Sequence, residues 1–413
     1  MAQSLGSTYP LVVVTGATGR LGKQLVPELE SRGARVIVSG RDTRKLEIAF
    51  PGREACTYED LHSTAKGADL VIHLAVLNND VLAPRSAFEE VNVKLTMRVA
   101  EASRKAGVRR MINFSSTHAL DETNLGHYAA TKRKAVEELA CRPDLPVTTF
   151  YLPAVVGDEL SGKLSALNKL PRHVRSQVIH ALSALKPTVR VCTVADEVFA
   201  ELKDRTAEGR IVSEGQVDNL YFGVVKRFID LSFAVAVLVC FWWLLITLSI
   251  LIRLQSKGPA IFCQERVGRA GKTFTCFKFR TMHLGTPNVG THEAPENAVT
   301  PIGRFLRSSK LDELPQVFNI LLNQVSLVGP RPCLPSQSEL IQARARRGVL
   351  DVKPGITGYA QVHGVDMSEP EVLSRWDETY VRLQSLLLDI RIALATARGR
   401  GLGDRATARA SST

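Results

Sequence analysis

Short apolar runs, separated by longer stretches with helical patterning, fill the first half of the chain. Their apolar residues are mostly consecutive rather than alternating, which is typical of strands buried on both faces of a parallel sheet. The runs occupy residues 11–14, 35–39, 70–74 and 111–114. Strands that alternate with helices in this way predict a doubly wound α/β domain.

The middle of the chain contains one long apolar segment, residues 228–252, interrupted only by Asp230. At about 1.5 Å per residue, a helix of this length is long enough to cross a bilayer. A buried core helix is the alternative interpretation. The length of the segment and its content of Leu, Ile, Val, Phe and Trp favour the membrane.

A shorter helix with one apolar stripe is predicted further along. The stripe, at i, i+3, i+4 and i+7, consists of Leu314, Val317, Phe318 and Leu321. Asp312 is the predicted N-cap, with Pro315 at the third helical position. Asp312 and Glu313 then lie at the positive end of the helix dipole, which favours their ionised forms. Taken alone, the pair indicates only a cap and a first-turn acid.

Composition supports a membrane-associated protein of several domains. The chain has 413 residues, 45% of them hydrophobic, which suits two or three packed domains. Its formal net charge of +12 suits an anionic surface, and without a nucleic-acid-binding motif we expect lipid rather than nucleic acid. The seven cysteines include no C-x-x-C pair and are expected to be reduced packing residues in the cytosol.

Five sequence blocks follow the apolar segment, at residues 264–268, 277–282, 311–316, 326–332 and 353–358. In this order they resemble the monotopic phosphoglycosyl transferases, the bacterial sugar transferase family that starts glycan assembly on a polyprenol carrier. The resemblance covers about residues 224–396. It implies that Asp312 attacks the sugar-bearing phosphate of a UDP-sugar and forms a phosphosugar–enzyme intermediate, which undecaprenyl phosphate then resolves.

The same resemblance assigns roles to charged residues around Asp312. Glu313 is expected to hold Mg²⁺ together with Asp312, and Arg331 to clamp phosphate with its planar guanidinium group. Additional positive charge for diphosphate or lipid headgroups is expected from Arg266, Lys278 and Arg280. The alternative is that these last three are ordinary solvated surface residues.

Two positions depart from the pattern of that family. Members commonly carry Gly-Asp-Met before the Ser-Leu-Val-Gly-Pro-Arg-Pro block, whereas this chain has Asn323, Gln324 and Val325. An expected acidic group is therefore missing, together with any third metal ligand it would supply. A frequent Trp after Ile-Thr-Gly is Tyr359 here, which keeps an aromatic ring.

A glycine-rich loop follows the first apolar run. Its glycine spacing allows a tight turn and brings helix N–H groups onto a pyrophosphate. The predicted cofactor-binding residues of this loop are Gly16, Thr18, Gly19, Arg20, Leu21 and Gly22.

With this loop, residues 115–117 and 128–132 resemble the extended short-chain dehydrogenase/reductase and sugar-nucleotide epimerase/dehydratase superfamily, over about residues 10–215. Tyr128 and Lys132 lie at i and i+4 of a helix, so the ammonium group is expected to depress the phenol pKa. The resemblance implies that Tyr128 exchanges a proton with a sugar hydroxyl during hydride transfer. Thr117, with Ser116 in reserve, is expected to hold the substrate oxygen. Ordinary surface residues are the alternative for the Tyr-Lys pair.

The end of the second predicted strand bears on cofactor choice. No acidic residue for a ribose 2′-hydroxyl stands there, and Arg41 favours NADP. Asp42, one residue further, would serve NAD.

The sequence therefore predicts an N-terminal Rossmann-type doubly wound parallel sheet, a re-entrant membrane helix and a small α/β membrane-associated catalytic domain. The predicted boundaries are 1–9 (extension), 10–215 (NAD(P)-binding domain), 216–225 (linker), 226–257 (re-entrant segment), 258–396 (transferase domain) and 397–413 (disordered tail). NADP(H) and UDP-sugars are cytosolic, so both domains are expected to face the cytoplasm at the bacterial inner membrane and contact its lipid.

In this interpretation the N-terminal domain reduces or epimerises the nucleotide sugar that the transferase uses. Two rival interpretations stand beside it. In one, the N-terminal domain is a non-catalytic cofactor-sensing module; in the other, the whole chain is a membrane scaffold. The sequence specifies neither the sugar nor an oligomeric state.

Overall fold

The computed structural model describes residues 9–142, 144–157, 162–203, 209–286 and 298–401. The chain forms two compact units, Met1–Arg175 with Pro187–Glu214, and Ser176–Lys186 with Gly215–Thr413. The sequence had assigned residues 176–186 to the first domain, yet they group with the second unit. There Gln216 donates to the Ser183 carbonyl (2.6 Å) and Asn219 to that of His180 (3.0 Å). Residues 1–8 and 402–413 of the predicted extension and tail lie outside the described residues.

The first unit is built on a seven-stranded parallel sheet of order β3-β2-β1-β4-β5-β6-β9. Its strands are β1 Leu11–Thr15, β2 Arg35–Gly40, β3 Ala55–Thr57, β4 Leu70–His73, β5 Met111–Ser116, β6 Val147–Leu152 and β9 Arg210–Ile211, with β7 Ala154–Val156 and β8 Thr188–Arg190 paired separately. Each predicted apolar run is a strand, and the two faces of the sheet carry separate apolar cores. The predicted doubly wound sheet is confirmed.

The helices of this unit are α1 Arg20–Ser31, α2 Thr43–Ala49, α3 Leu61–Thr64, α4 Arg85–Glu89, α5 Leu95–Lys105, α6 His127–Ala140 and α8 Val191–Lys203. Helix α7, Arg172–Leu185, begins in the first unit and ends in residues that group with the second.

The second unit begins with the long helix α9, Leu220–Gln255. Short elements follow: β10 Ile261–Val267, β11 Thr273–Phe279, α10 Pro301–Ser309, α11 Gln316–Leu321, β12 Ser326–Val328, α12 Ser338–Arg346, β13 Gly355–Thr357, α13 Tyr359–Val362, α14 Pro370–Leu383 and α15 Leu386–Ala397. Strands β10 and β11 form an antiparallel hairpin, and β12 pairs with β13 in parallel. A smaller α/β domain thus follows the apolar helix, as predicted.

Helix α9 is long and apolar enough to cross a membrane, with a mean hydropathy of 2.7 in its most apolar stretch. Only 17% of that stretch is buried within the protein, so α9 is not a core helix. Its helical torsions break at Phe241 (φ −121°, ψ 16°), although neither Pro nor Gly is nearby. The indole N–H of Trp243 donates to the Cys240 carbonyl at 3.0 Å, satisfying an acceptor beside the break.

Asp230, the one acid in the apolar segment, is buried and bound within the second unit. Its Oδ1 accepts hydrogen bonds from Ser326 Oγ (3.0 Å) and Leu327 N–H (2.8 Å). These bonds tie α9 to β12 and satisfy a carboxylate that would be costly to leave unpaired in an apolar environment.

All seven cysteines are free, as expected. Cys56, Cys276 and Cys333 are buried packing residues. The packing prediction is wrong for three others, which are exposed: Cys141, Cys240 and Cys263.

Candidate active sites

The Asp-Glu pair lies in a tight turn between α10 and α11. Lys310 ends α10 in the left-handed conformation (φ 58°), and Leu311–Glu313 form one 3₁₀ turn in which the Glu313 N–H donates to the Lys310 carbonyl. Helix α11 begins only at Gln316, with Pro315 at its N-cap position. The prediction that Asp312 caps this helix is therefore wrong, because residues 311–313 form a separate 3₁₀ turn and α11 starts three residues after it.

The turn directs both carboxylates into a cleft, here named the dyad cleft. The cleft is lined mainly by β10, β11, residues 280–286 directly after β11, and the turn itself. Glu313 is 7% exposed, and its Oε1 accepts hydrogen bonds from Lys278 Nζ (2.8 Å) and Arg331 Nη2 (3.1 Å). The Oδ1 atom of Asp312 is buried and has no hydrogen-bond partner in the part of the chain that the structure describes. The structure thus brings together Asp312, Glu313, Lys278 and Arg331 as predicted.

Positive charge dominates the walls of the dyad cleft. Its basic lining residues are Arg266, Lys278, Arg280, Arg307, Lys310 and Arg331, against the two acids Asp312 and Glu313. Sequence reasoning missed Arg307 and Lys310, although they lie only five and two residues before Asp312. This excess of cationic groups suits a ligand with several phosphate charges.

The two carboxylates have different electrostatic environments. Burial opposes ionisation of Glu313, but the charges of Lys278 and Arg331 outweigh it and lower its pKa to about 2. Burial, followed by the charge of Glu313, raises the pKa of Asp312. The expectation that a helix dipole favours ionisation of both groups is therefore wrong for Asp312.

Two arginines that were predicted to bind phosphate donate hydrogen bonds to acceptors within the protein. Arg266 donates to the Pro332 carbonyl (3.0 Å) and to Gln264 Oε1 (2.6 Å). Arg280 donates to the carbonyls of Ser256 (2.7 Å) and Lys257 (3.0 Å), directly after the end of α9. Both side chains reach the dyad cleft, but their contacts organise the backbone around it.

The blocks at residues 326–332 and 353–358 interlock through their glycines. A Cβ atom on Gly355 would lie 2.0 Å from the Gly329 nitrogen, and one on Gly329 would lie 2.5 Å from the Lys353 carbonyl oxygen. Two backbones approach this closely only where neither carries a side chain. The contact places Arg331, just beyond Gly329, at the dyad cleft.

Gln324, which stands where the resembled family carries an acid, does not line the dyad cleft. Nor does any side chain of the last two helices, α14 and α15. Gln324 accepts a hydrogen bond from Asn319 at 2.7 Å, outside the cleft lining. On α14 and α15, Tyr380 donates to Asp389 (2.8 Å), and Asp377 pairs with Arg344 (2.7 Å). Both acids and Tyr380 are buried and hydrogen-bonded within the protein, so these three residues belong to the packing of the helices.

The dyad cleft fits Mg²⁺ only as an ion shared with a ligand. No group of three or more His, Cys, Asp or Glu residues that could enclose a metal exists among the described residues. Asp312 nevertheless offers a buried oxygen without a partner, while Glu313 Oε1 already accepts two cationic donors. Magnesium typically uses one or two carboxylates and completes its shell with water and substrate phosphates.

In the first unit, the glycine-rich loop joins β1 to α1 and lines a cleft of about 760 Å³, here named the glycine-loop cleft. Gly16 has φ +73°, and a Cβ there would lie 2.5 Å from the Ala75 nitrogen; a Cβ on Gly22 would lie 2.3 Å from the Ala17 carbonyl oxygen. All predicted cofactor-binding residues line this cleft: Gly16, Thr18, Gly19, Arg20, Leu21, Gly22 and Arg41.

Tyr128, Lys132 and Ser116 line the same cleft, whereas Thr117 does not. Of the two candidates for holding the substrate oxygen, Ser116 is therefore the one that shares the cleft with Tyr128. Lys132 Nζ donates to the Phe114 carbonyl at 2.8 Å, and burial lowers its pKa to about 8. Burial also raises the pKa of Tyr128, so the expected depression of the phenol pKa is wrong for the protein without a cofactor.

The side chain of Asp42 caps the N-terminus of α2. Its Oδ1 accepts the Lys45 N–H at 3.3 Å as the N-cap. Arg41, Asp42 and Lys45 all line the glycine-loop cleft, so this edge presents two cations and one carboxylate.

Comparison with known proteins agrees with the division into two units. Residues 221–400 match the bacterial sugar transferase family, and residues 12–180 match the NAD dependent epimerase/dehydratase family. In the first unit, the chain is similar to the solved structure of WbmG from Bordetella bronchiseptica in complex with NAD. The TM-score is 0.41 and the identity 18%, over 51% of this chain and 74% of that one.

Two relatives illustrate the match of the second unit. The UDP-glucose:undecaprenyl-phosphate glucose-1-phosphate transferase of Xanthomonas campestris is 40% identical over 197 residues, 45% of this chain and 40% of that protein. The chain thus spans about two fifths of the length of this relative. The sugar transferase EpsL of Bacillus subtilis is 39% identical over 176 residues, 42% of this chain and 86% of EpsL. The chain therefore belongs to the bacterial sugar transferase family, and it carries in addition an N-terminal domain of the NAD dependent epimerase/dehydratase type.

Proposed function

We propose that the second unit transfers a sugar 1-phosphate from a UDP-sugar to undecaprenyl phosphate, the step that starts a bacterial exopolysaccharide, capsule or O-antigen. The observation that carries this proposal is the buried, unpartnered Oδ1 atom of Asp312 beside Glu313, Lys278 and Arg331. The relative from Xanthomonas is named for transfer from UDP-glucose to undecaprenyl phosphate, which supports these two substrate classes.

The transfer takes place in two displacements at one phosphorus atom. An oxygen of Asp312 attacks the sugar-bearing phosphorus, the bond to the UMP oxygen breaks, and UMP leaves with that electron pair. An oxygen of undecaprenyl phosphate then attacks the same phosphorus, and the Asp312 carboxylate leaves. A covalent intermediate divides one difficult transfer into two easier ones.

The remaining groups of the dyad cleft stabilise charge. Glu313 stays ionised and orients Lys278 and Arg331, whose positive charges face the phosphoryl oxygens. Asp312 and Glu313 would hold Mg²⁺, which when bound neutralises diphosphate charge. Arg266 and Arg280 support the walls of the cleft through their backbone contacts.

For the first unit, we propose binding of NADP(H) in the glycine-loop cleft, and reduction or epimerisation of a nucleotide sugar with Tyr128 and Lys132 as catalytic residues. Ser116, which lines this cleft together with Tyr128, is better placed than Thr117 to hold the substrate oxygen. One half of the chain then prepares the nucleotide sugar that the other half uses, both at the cytoplasmic face of the inner membrane. A non-catalytic cofactor sensor is the second candidate, because Lys132 already donates to a backbone carbonyl.

One incubation separates these functions. Purified full-length protein is mixed with UDP-glucose or other UDP-sugars, undecaprenyl phosphate and Mg²⁺, and UMP release is followed together with nicotinamide absorbance. UMP release that depends on UDP-sugar supports the transferase, and its absence with every UDP-sugar supports the scaffold. A change in nicotinamide absorbance distinguishes turnover in the first unit from cofactor sensing.

We expect the first unit to bind NADPH more tightly than NADH. Arg41 and Lys45 outnumber Asp42, the one carboxylate that lines the cleft beside them, and Asp42 Oδ1 already caps α2. Arg41→Ala should narrow this preference roughly tenfold, the order expected for one charge-assisted phosphate contact. Fluorescence titration of each nucleotide measures the effect. Arg44→Ala is the matched control, since this neighbouring arginine is exposed and does not line the cleft. Equal affinities for the two nucleotides in the unmutated protein would count against NADP.

We expect both ends of α9 to lie on the cytoplasmic side. Its helical torsions break at Phe241, near the middle, and basic residues flank the apolar segment on both sides, as the positive-inside tendency requires. These residues are Lys226, Arg227, Arg253 and Lys257.

Cysteine labelling tests this topology. In a background without other cysteines, the exposed native Cys141 and an introduced Ser338→Cys should each resist an impermeant thiol reagent in intact spheroplasts and react after lysis. A periplasmic cysteine reporter, labelled before lysis, controls for reagent access. Labelling of only one of the two sites before lysis would show that α9 spans the membrane.

A further inference from the structure

The loop that carries Arg331 is held in an unusual way. Pro330 and Pro332 flank Arg331 and have no N–H group, so the segment depends on its carbonyl oxygens for hydrogen bonds. Four consecutive carbonyls are all engaged, by Gly355 N–H at Pro330 (2.9 Å), Arg344 Nη1 at Arg331 (2.9 Å), Arg266 Nη1 at Pro332 (3.0 Å) and Val267 N–H at Cys333 (2.9 Å).

Arg344 is the donor that holds Arg331 itself. Its Nε and Nη2 groups donate to Asp377 Oδ2 at 3.0 and 2.7 Å, which leaves Nη1 directed at the Arg331 carbonyl. Both side chains of the pair are only 3% exposed. Asp377 on α14 thus orients the guanidinium of Arg344 on α12, and Arg344 fixes the backbone from which the Arg331 side chain reaches Glu313.

Stability alone is a weak reason to keep such a pair. Two charges that are removed from water lose hydration, and the attraction between them often does no more than compensate for that loss. A planar, doubly anchored guanidinium group does, however, fix a neighbouring carbonyl more narrowly than a flexible side chain can.

We propose that Arg344 and Asp377 are positioning residues for the transferase reaction, which act by holding Arg331 in the place where its guanidinium meets the substrate phosphate. This inference rests on the proposed function of the dyad cleft. Neither residue lines that cleft, and the bond from Arg344 to the Arg331 carbonyl is what connects the pair to it.

A double-mutant cycle in the full-length protein tests the inference. Arg344→Lys keeps the positive charge beside Asp377 but loses the planar guanidinium group with its several donors. It should lower kcat/KM for UMP release roughly 10- to 100-fold, the range expected when a catalytic group is misplaced by about 1 Å. It should reproduce the pattern of kcat and KM changes of Arg331→Ala at smaller size. In the Arg331→Ala background, Arg344→Lys should lower kcat/KM by less than about a further twofold, because the effects of mutations at coupled residues are not additive.

Two further variants keep the test decisive if Arg344→Lys does not fold. Asp377→Asn preserves shape and one acceptor, and should give a smaller loss that also disappears in the Arg331→Ala background. Arg347→Lys is the matched control, since Arg347 also joins α12 to α14, through Ser374 and Glu371, but makes no described hydrogen bond to the Arg331 loop. It should change kcat/KM less than about twofold.

Calorimetric titration measures the UDP affinity of each variant in the same cycle without turnover, so the inference remains testable even if the unmutated protein releases no UMP. The absence of UMP release would contradict only the proposed function. Unchanged kcat/KM and UDP affinity in Arg344→Lys and Asp377→Asn would overturn the inference. So would losses that multiply fully with Arg331→Ala, because they would indicate general destabilisation.

Discussion

Replacement of Asp312 by Asn should lower UMP release by roughly 10⁴-fold or more, the scale expected when a catalytic nucleophile is removed. Asparagine has nearly the same shape and retains one oxygen, but an amide is not an attacking carboxylate. The burial that leaves Asp312 Oδ1 without a partner is preserved in this variant, so the loss reports chemistry rather than packing. Acid-quenched reactions with sugar-labelled UDP-sugar should yield a protein-bound phosphosugar for the unmutated chain and none for Asp312→Asn.

Asp351→Asn is the matched control for this prediction, because Asp351 is exposed in the same unit and lies outside the dyad cleft. It should retain nearly full activity. Wild-type rates in Asp312→Asn would remove Asp312 from the role of nucleophile. A phosphosugar adduct mapped to Glu313 would exchange the roles of the two carboxylates.

Arg331→Lys should lower kcat/KM for UMP release by about 100-fold, because lysine cannot contact two phosphate oxygens with a planar fork. Arg331 donates to Glu313 Oε1 through Nη2 at 3.1 Å and also lines the cleft, so its guanidinium contacts the Asp-Glu pair and faces the space for a ligand. Lysine keeps the charge, and the loss therefore isolates geometry from electrostatics. Steady-state kinetics with varied UDP-sugar measure the effect.

The control for Arg331 is Arg304→Lys, an exposed arginine on α10 that does not line the dyad cleft. We expect this variant to behave as wild type. A near-neutral Arg331→Lys would assign Arg331 to a structural role, in which the loop contacts of residues 330–333 serve packing rather than phosphate binding.

Much of this architecture was readable from local sequence. Buried parallel strands leave consecutive apolar residues, and the glycine loop leaves small residues where a Cβ would collide with Ala75 or Ala17. The long apolar segment and the short stripe that begins at Leu314 each gave a helix, because burial follows hydrophobic periodicity. The association of Asp312 and Glu313 with Lys278 and Arg331 was predicted from motif order rather than from any of these patterns.

The tertiary structure decided what each polar side chain contacts. Asp312 was predicted to cap a helix, but it lies in a separate 3₁₀ turn after Lys310 and lines the cleft, where burial raises its pKa. Arg266 and Arg280 were predicted to add positive charge for phosphates or lipid headgroups, yet both donate hydrogen bonds to backbone carbonyls of segments distant in sequence.

No sequence pattern identified Arg344 as a functional residue. Its partners Arg331 and Asp377 are distant in sequence and meet it only when α12, α14 and the Pro330–Pro332 loop pack together. Hydrophobic periodicity is a local property of the chain and survives in the sequence. The partner of a hydrogen-bonding group is set by which segments fold beside it, so it is decided only in three dimensions.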